Sequence, residues 1–285
     1  NQPSHKIVAS QRKPVAKSID YSIWKQNHSL LLEGLRDKRI FLLFSGGKDS
    51  SLCMNLLLKA GREFGFSFEA HAGAFPLHRY TASERERISA YWEVKGVTVL
   101  WHDVAQEDTC LESAVNPCLT CQEIRRQKLN AVLRNKVKQW ENLVLVVSFT
   151  LWDLVSYASE YLLAGVFTRN NGGAHQDLQK RFVEVSQRFY PFLRMKEGYS
   201  VFRPLIRYNG CDVLRTVEQE SIPILGIPCR FKDYRPKRIL ERYYDKMGLR
   251  FDYDEVLNFA KQTMGLADSS VYTDMDKEQY LTKVF

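Results

Sequence analysis

Arg39-Ile40-Phe41-Leu42-Leu43-Phe44-Ser45-Gly46-Gly47-Lys48-Asp49-Ser50-Ser51 is the stretch that decides the fold. Arg39 to Phe44 reads as a short apolar strand that runs straight into two glycines. Leu52, Met54, Leu56, Leu57 and Leu58 then supply a buried helix, which Gly61 is placed to end. Paired glycines let the backbone turn tightly and approach a ligand closely. The helix start offers unpaired N–H groups and the positive end of a dipole, a natural seat for phosphate. Ser45, Ser50 and Ser51 add hydroxyl donors, Lys48 adds charge, and Asp49 is a candidate ligand for a magnesium ion carrying the phosphates. A Walker A loop is excluded, because it needs glycine where Leu42 stands and Ser or Thr where Asp49 stands.

Outward from this loop the chain alternates. A helix is expected over 21–37, strands over Phe66 to Ala72, Val97 to His102 and Leu143 to Ser148, and helices over Thr81 to Lys95, Gln122 to Trp140 and Asp153 to Leu163. Alternation of this kind predicts an α/β fold, a parallel twisted sheet with helices on both faces. Ligands in such sheets bind at the carboxyl ends of strands, where the Ser45–Ser50 loop sits. Asn170, Asn171, Gly172 and Gly173 mark a loop in a less regular region. Residues 201–228 are expected to add a strand and a short helix near the sheet edge, 234–263 one or two closing helices, and Lys277 to Phe285 a terminal helix or tail.

Composition sets the outer bounds. The 285 residues suit one large domain, and 45% hydrophobic with 26% charged residues are ordinary globular values. No run of eighteen apolar residues predicts a membrane span. The polar first twenty residues lack a signal peptide's apolar stretch, so a cytoplasmic location is the expectation. A net charge of +8 favours polyanionic partners such as RNA. From Ile124 to Trp140 run Arg125, Arg126, Lys128, Arg134, Lys136 and Lys138, and a second basic run holds Arg230, Lys232, Arg235, Lys237, Arg238 and Arg242. Either run is a candidate phosphate-facing surface or an ordinary solvated face.

Six cysteines occur, and Cys118 and Cys121 form a C-x-x-C pair set just before the expected helix. Such a pair serves zinc, redox or cluster chemistry equally. Cys229, in Gly226-Ile227-Pro228-Cys229, is the third candidate. No second C-x-x-C exists to complete four thiolates for zinc. Three thiolates suit a four-iron cluster that keeps one iron open for an exogenous sulfide.

The loop, S-G-G-x-D-S in form, resembles the signature of the PP-loop ATP pyrophosphatases, of the adenine nucleotide alpha hydrolase-like fold. The resemblance implies that Ser45, Gly46, Gly47, Lys48, Asp49, Ser50 and Ser51 hold ATP with Mg2+, and that AMP is transferred to a substrate oxygen. Cys118-Leu119-Thr120-Cys121, Arg125-Arg126, Arg203-Pro204-Leu205 and Ile227-Pro228-Cys229 resemble the tRNA 2-thiocytidine synthetase branch and its thiouridine-forming relatives over Arg39 to Arg250. That likeness implies a 4Fe-4S cluster on Cys118, Cys121 and Cys229, structural roles for Cys53, Cys110 and Cys211, and Arg203 beside the active site. It also divides the chain into a flexible arm over 1–20, a PP-loop sulfurtransferase domain over 21–265 and a tail or helix over 266–285.

One stretch departs from the branch. Where the family has G-H-H-x-D-D, this chain has Ser148-Phe149-Thr150-Leu151-Trp152-Asp153, which keeps only the last Asp. Phe149 and Trp152 suit stacking on a base or core packing, and they join Arg125, Arg126, Asp153 and Arg203 as candidate substrate contacts. The expected activity is ATP-dependent thiolation of a nucleobase in tRNA, with a sulfur donor as further partner and a homodimer as one possible assembly. Thiolation of a free nucleobase or small metabolite is the alternative, and an ATP or iron–sulfur sensor without turnover is the second.

Overall fold

The computed structural model describes residues 16–167, 182 and 185–281. The expected Asn170–Gly173 loop and most of the expected 1–20 arm lie outside them. The described chain opens with α1 (Tyr21–Glu33), β1 (Arg39–Leu43), α2 (Lys48–Phe64), β2 (Phe68–Ala74), α3 (Ala82–Val94) and β3 (Val99–Asp103). It continues with α4 (Thr109–Glu112), α5 (Pro117–Lys136), β4 (Leu143–Val146), α6 (Leu151–Phe167), β5 (Phe192–Arg194) and β6 (Ser200–Phe202). It closes with α7 (Gly210–Gln219), α8 (Pro236–Met247), α9 (Tyr253–Thr263) and α10 (Lys277–Gln279).

The strands form one sheet in the order β3-β2-β1-β4-β6-β5. All neighbours are parallel except β5, which runs antiparallel to β6 at the edge. β1 therefore has β2 on one side and β4 on the other. This is the point where the winding reverses and a crevice opens at the strand ends. Alternation along the strands feeds two cores, as a sheet covered on both faces requires. Ile40, Leu42, Val144 and Val146 pack with Trp24, Leu56, Trp92 and Val213, from α1, α2, α3 and α7. Phe41, Leu143 and Leu145 face the other way, onto Leu133, Leu154 and Ala260 from α5, α6 and α9. Tyr280 and Leu281 are buried in that second core, and Lys17 and Ile19 bond through their backbone N–H groups to Asp212 and Thr216 of α7.

Several boundaries differ from expectation. Gly61 does not end α2. A Cβ there would meet the Phe66 carbonyl oxygen at 2.6 Å, so this glycine permits close packing, and the helix ends at left-handed Gly65, φ 76°. α5 begins at Pro117, capped by Asn116, whose side chain accepts from Leu119 N–H. The C-x-x-C pair thus lies inside the helix's first turns rather than before it. β5 carries no strong alternation and was not anticipated.

Two buried histidines give the fold an acid limit. His71 stacks on Phe41 with ring centres 3.7 Å apart, and bonds His102 at 2.9 Å and Glu69 at 3.2 Å. His28 sits between Trp24 and Phe202. Burial pulls each down to about 4. Unfolded histidine titrates near 6.5, so between those values the unfolded chain binds more protons. Stability from these groups is full above that range and is lost as the pH falls towards 4. We expect the slope of unfolding free energy against pH to approach about 2.7 kcal/mol per unit there if both groups titrate. Urea midpoints at pH 7, 5.5 and 4.5 check this; a flat profile contradicts it, and His71→Gln should flatten it in part.

Candidate active site

The Ser45–Ser51 loop leaves β1 and enters α2 at the switch point. Ser50 Oγ, 3.0 Å from Ser45 Oγ, accepts from Ser45 N–H at 3.1 Å and donates to the Gly47 carbonyl at the same distance. The loop thus holds its own shape. Gly46 has φ 65°, and a Cβ there would lie 2.8 Å from the Leu225 side chain, so the position demands glycine on both counts. No side chain caps α2, whose N-cap is Gly47, so its first N–H groups stay available to an anion. Tyr80 donates its hydroxyl to the Ser45 carbonyl at 2.9 Å. Ser51 Oγ is buried without a hydrogen-bond partner among the described residues.

Charge gathers beside the loop. Lys48 Nζ lies 2.7 Å from Asp49 Oδ1 and 3.7 Å from Glu241 Oε1 of α8. Burial pulls the Lys48 ammonium down, but Asp49 and Glu241 outweigh it and hold the pKa above the ordinary lysine value. Asp153, at the start of α6, accepts from Thr150 N–H at 2.8 Å and pairs with Lys237 of α8. Burial pushes its carboxyl up, yet Lys237, Thr150 and Lys48 together keep it below the usual carboxylate range. Asp245 completes the group, pushed up by burial and by Glu241.

The three candidate cysteines gather on the other side. Cys118 and Cys121 stand on α5, and Cys229 on the connection after α7. Burial raises Cys118 and Cys121, and each feels the Cys229 thiol, while Arg235 and, at Cys121, Arg125 pull the other way. Cys118 Sγ donates to the Phe231 carbonyl at 3.4 Å. Three half-buried thiols stand beside the Arg125 and Arg235 guanidinium groups. Their arrangement is more open than ligation needs, since among the described residues no three His, Cys, Asp or Glu side chains are grouped to hold a metal ion.

The connection bearing Cys229 is stitched to the loop and to α3. Leu225 N–H donates to the Gly46 carbonyl at 2.8 Å, and Gly226 N–H to Glu84 at 2.6 Å. Arg79 reaches the Ile227 carbonyl, and Arg230 N–H donates to His78 Nε2 at 3.1 Å. His78 Nδ1 lies 2.6 Å from Asp108, which fixes its ring.

The remaining candidates separate. Arg125 lies over the Tyr80 ring at 5.8 Å, within the site, whereas Arg126 is taken by Glu123. Trp152 is 5% exposed, with Tyr244 and Phe251 against its ring, so it seats α8 and leaves little face for a base. Phe149 meets Arg188. Arg203 has no exposed surface; its guanidinium holds the Tyr190 carbonyl and Gln187, bracing β6 to the preceding turn rather than facing the loop. Cys53 is a core residue, as its apolar helix neighbours imply. Glu241, Tyr80 and Leu225 carry no signal in the sequence, and Lys237 shows only as one cation of the second basic run, because only the packing of distant segments brings them to the loop.

No family model and no curated protein matches the chain. Among solved structures it is similar to the U34-tRNA thiolase NcsA from Methanococcus maripaludis with its 4Fe-4S cluster. The two are 12% identical over 92% of this chain and 88% of that one, with a TM-score of 0.59. NMN synthetase from Francisella tularensis (12% identity, 90% of each chain) and NAD+ synthetase from Burkholderia pseudomallei (16%, 90% of this chain and 94% of that) both score 0.42. Among the described residues no helix is long and apolar enough to cross a membrane. The sheet order, the loop at its switch point and the likeness to the thiolase agree: the chain has the fold of the PP-loop ATP pyrophosphatase superfamily.

Proposed function

We propose that the protein is an ATP-dependent sulfurtransferase that adenylates a carbonyl oxygen on a nucleobase, expels pyrophosphate, and exchanges that oxygen for sulfur. The observation that supports this reading is the bond from Leu225 N–H, four residues before Cys229, to the Gly46 carbonyl of an uncapped phosphate loop. The loop's N–H groups and Lys48 bind phosphate oxygens and stabilise the charge that develops as the substrate oxygen attacks the α-phosphorus. Asp49 and Asp153, both carboxylates beside Lys48, would face the magnesium ion. Cys118, Cys121 and Cys229 would hold a 4Fe-4S cluster, which would supply an iron site for the incoming sulfide; without a cluster, one of the thiols would need a sulfane-sulfur donor to carry a persulfide. Burial raises the Cys118 and Cys121 thiols, and Arg125 and Arg235 offset part of that rise.

A base in tRNA is the proposed substrate. Exposed Arg230, Lys232, Arg242 and Lys246 lie on and just before α8, where they would meet a polyanion. The test supplies anaerobically reconstituted protein with ATP, magnesium and sulfide, and offers bulk tRNA in one tube and free nucleobases in another. Mass spectrometry should find AMP and an oxygen-to-sulfur mass shift in the tRNA nucleosides. A thiolated free base instead moves the substrate to the small-molecule alternative. AMP from neither tube rejects the enzyme and leaves a sensor.

A further inference from the structure

The replacement of the family's His/Asp stretch leaves open what closes the far side of the phosphate site, and α8 lies there. Two ion pairs join it to the loop side: Lys48 with Glu241, and Lys237 with Asp153. Lys237 and Glu241 are four residues apart, so they share one face of the helix. The same face carries Tyr244, seated on Trp152 and Phe251. Arg238 bonds the other Glu241 oxygen at 3.1 Å. Both lysines are therefore held by carboxylates that a phosphate chain with its magnesium ion would replace as partners. Asp49 and Asp153 would turn to the metal, and Lys48 and Lys237 to phosphate oxygens.

We propose that α8 is the far wall of the nucleotide-phosphate site and that Lys237 is a second phosphate-binding lysine, released from Asp153 when the nucleotide arrives. Glu241 has the opposite part: it competes with phosphate for Lys48. The assignment rests on the reading of the loop as an ATP site. It gives the two residues opposite signs, which a purely structural role for α8 does not.

Calorimetric titration of magnesium-ATP and of magnesium-pyrophosphate into wild-type, Lys237→Gln, Lys237→Arg and Glu241→Gln proteins tests it, with melting temperatures recorded alongside. Lys237→Gln should weaken both ligands about tenfold, the loss of one charge-assisted contact, and Lys237→Arg should restore most of the affinity. Glu241→Gln should tighten both about threefold. Unchanged affinity in Lys237→Gln, or weaker binding in Glu241→Gln, overturns the assignment while leaving the ATP site standing. A wild-type protein that binds neither ligand overturns both. Should Lys237→Gln fail to fold, the sign of the Glu241→Gln change decides.

Discussion

Cys229→Ser is expected to reduce thiolation by about a thousandfold while AMP release stays within about threefold of wild type. The substitution is nearly isosteric, and the connection around it is held by other groups: Glu84 on Gly226, Arg79 on Ile227 and His78 on Arg230. The backbone should therefore keep its course, and the loss should fall on sulfur chemistry alone. Adenylation depends on the Ser45–Ser51 loop and its counter-charges, none of which the serine alters. Parallel measurement of AMP by chromatography and of thiolated product by mass spectrometry separates the two. Retained thiolation removes Cys229 from the reaction; loss of AMP as well means that the cysteine supports the loop itself.

Asp49→Ala should act one step earlier and lower AMP and pyrophosphate release by about a thousandfold or more, roughly 4 kcal/mol of transition-state stabilisation. Asp49 stands in the first turn of α2, 2.7 Å from Lys48 Nζ, and is the acid nearest the anion-binding end of that helix. Lys48 keeps Glu241 as a counter-charge when Asp49 is removed, so the fold should survive the substitution. The melting temperature is expected to stay within a few degrees. A variant that melts normally and still releases AMP would show that the metal and phosphates are managed by Asp153 and α8 without it.

Much of this site is legible in the sequence because its parts are local. A strand, two glycines and a helix within thirteen residues determine a phosphate seat whatever surrounds them, and the β–α alternation places that seat at a strand end. The C-x-x-C pair and Cys229 are equally visible as residue types. What stays hidden depends on contacts across the chain. Lys237 reads as one cation in a basic run until α8 is seen against Asp153, and Arg203 reads as a substrate contact until its buried guanidinium is seen on the Tyr190 carbonyl and Gln187. Gly61 and Gly65 both fit a helix stop; only the approach of Phe66 tells which one packs and which one caps. Trp152 shows a different limit. An aromatic residue beside an active site suits stacking or packing equally, and the decision lies with Tyr244 and Phe251, more than ninety residues away.

The bond from Leu225 to the Gly46 carbonyl sets a length scale. Cys229 comes four residues after Leu225, and a fully extended chain of four residues spans about 14 Å at most. The thiol-bearing residue is thus leashed to the phosphate loop at no more than the width of a nucleotide or two. In the proposed reaction, an activated base would not need to travel between stations, or be released to water, before it met sulfur. A short-lived adenylate would then be consumed where it forms, and its hydrolysis would compete with a reaction in the same cleft rather than with diffusion.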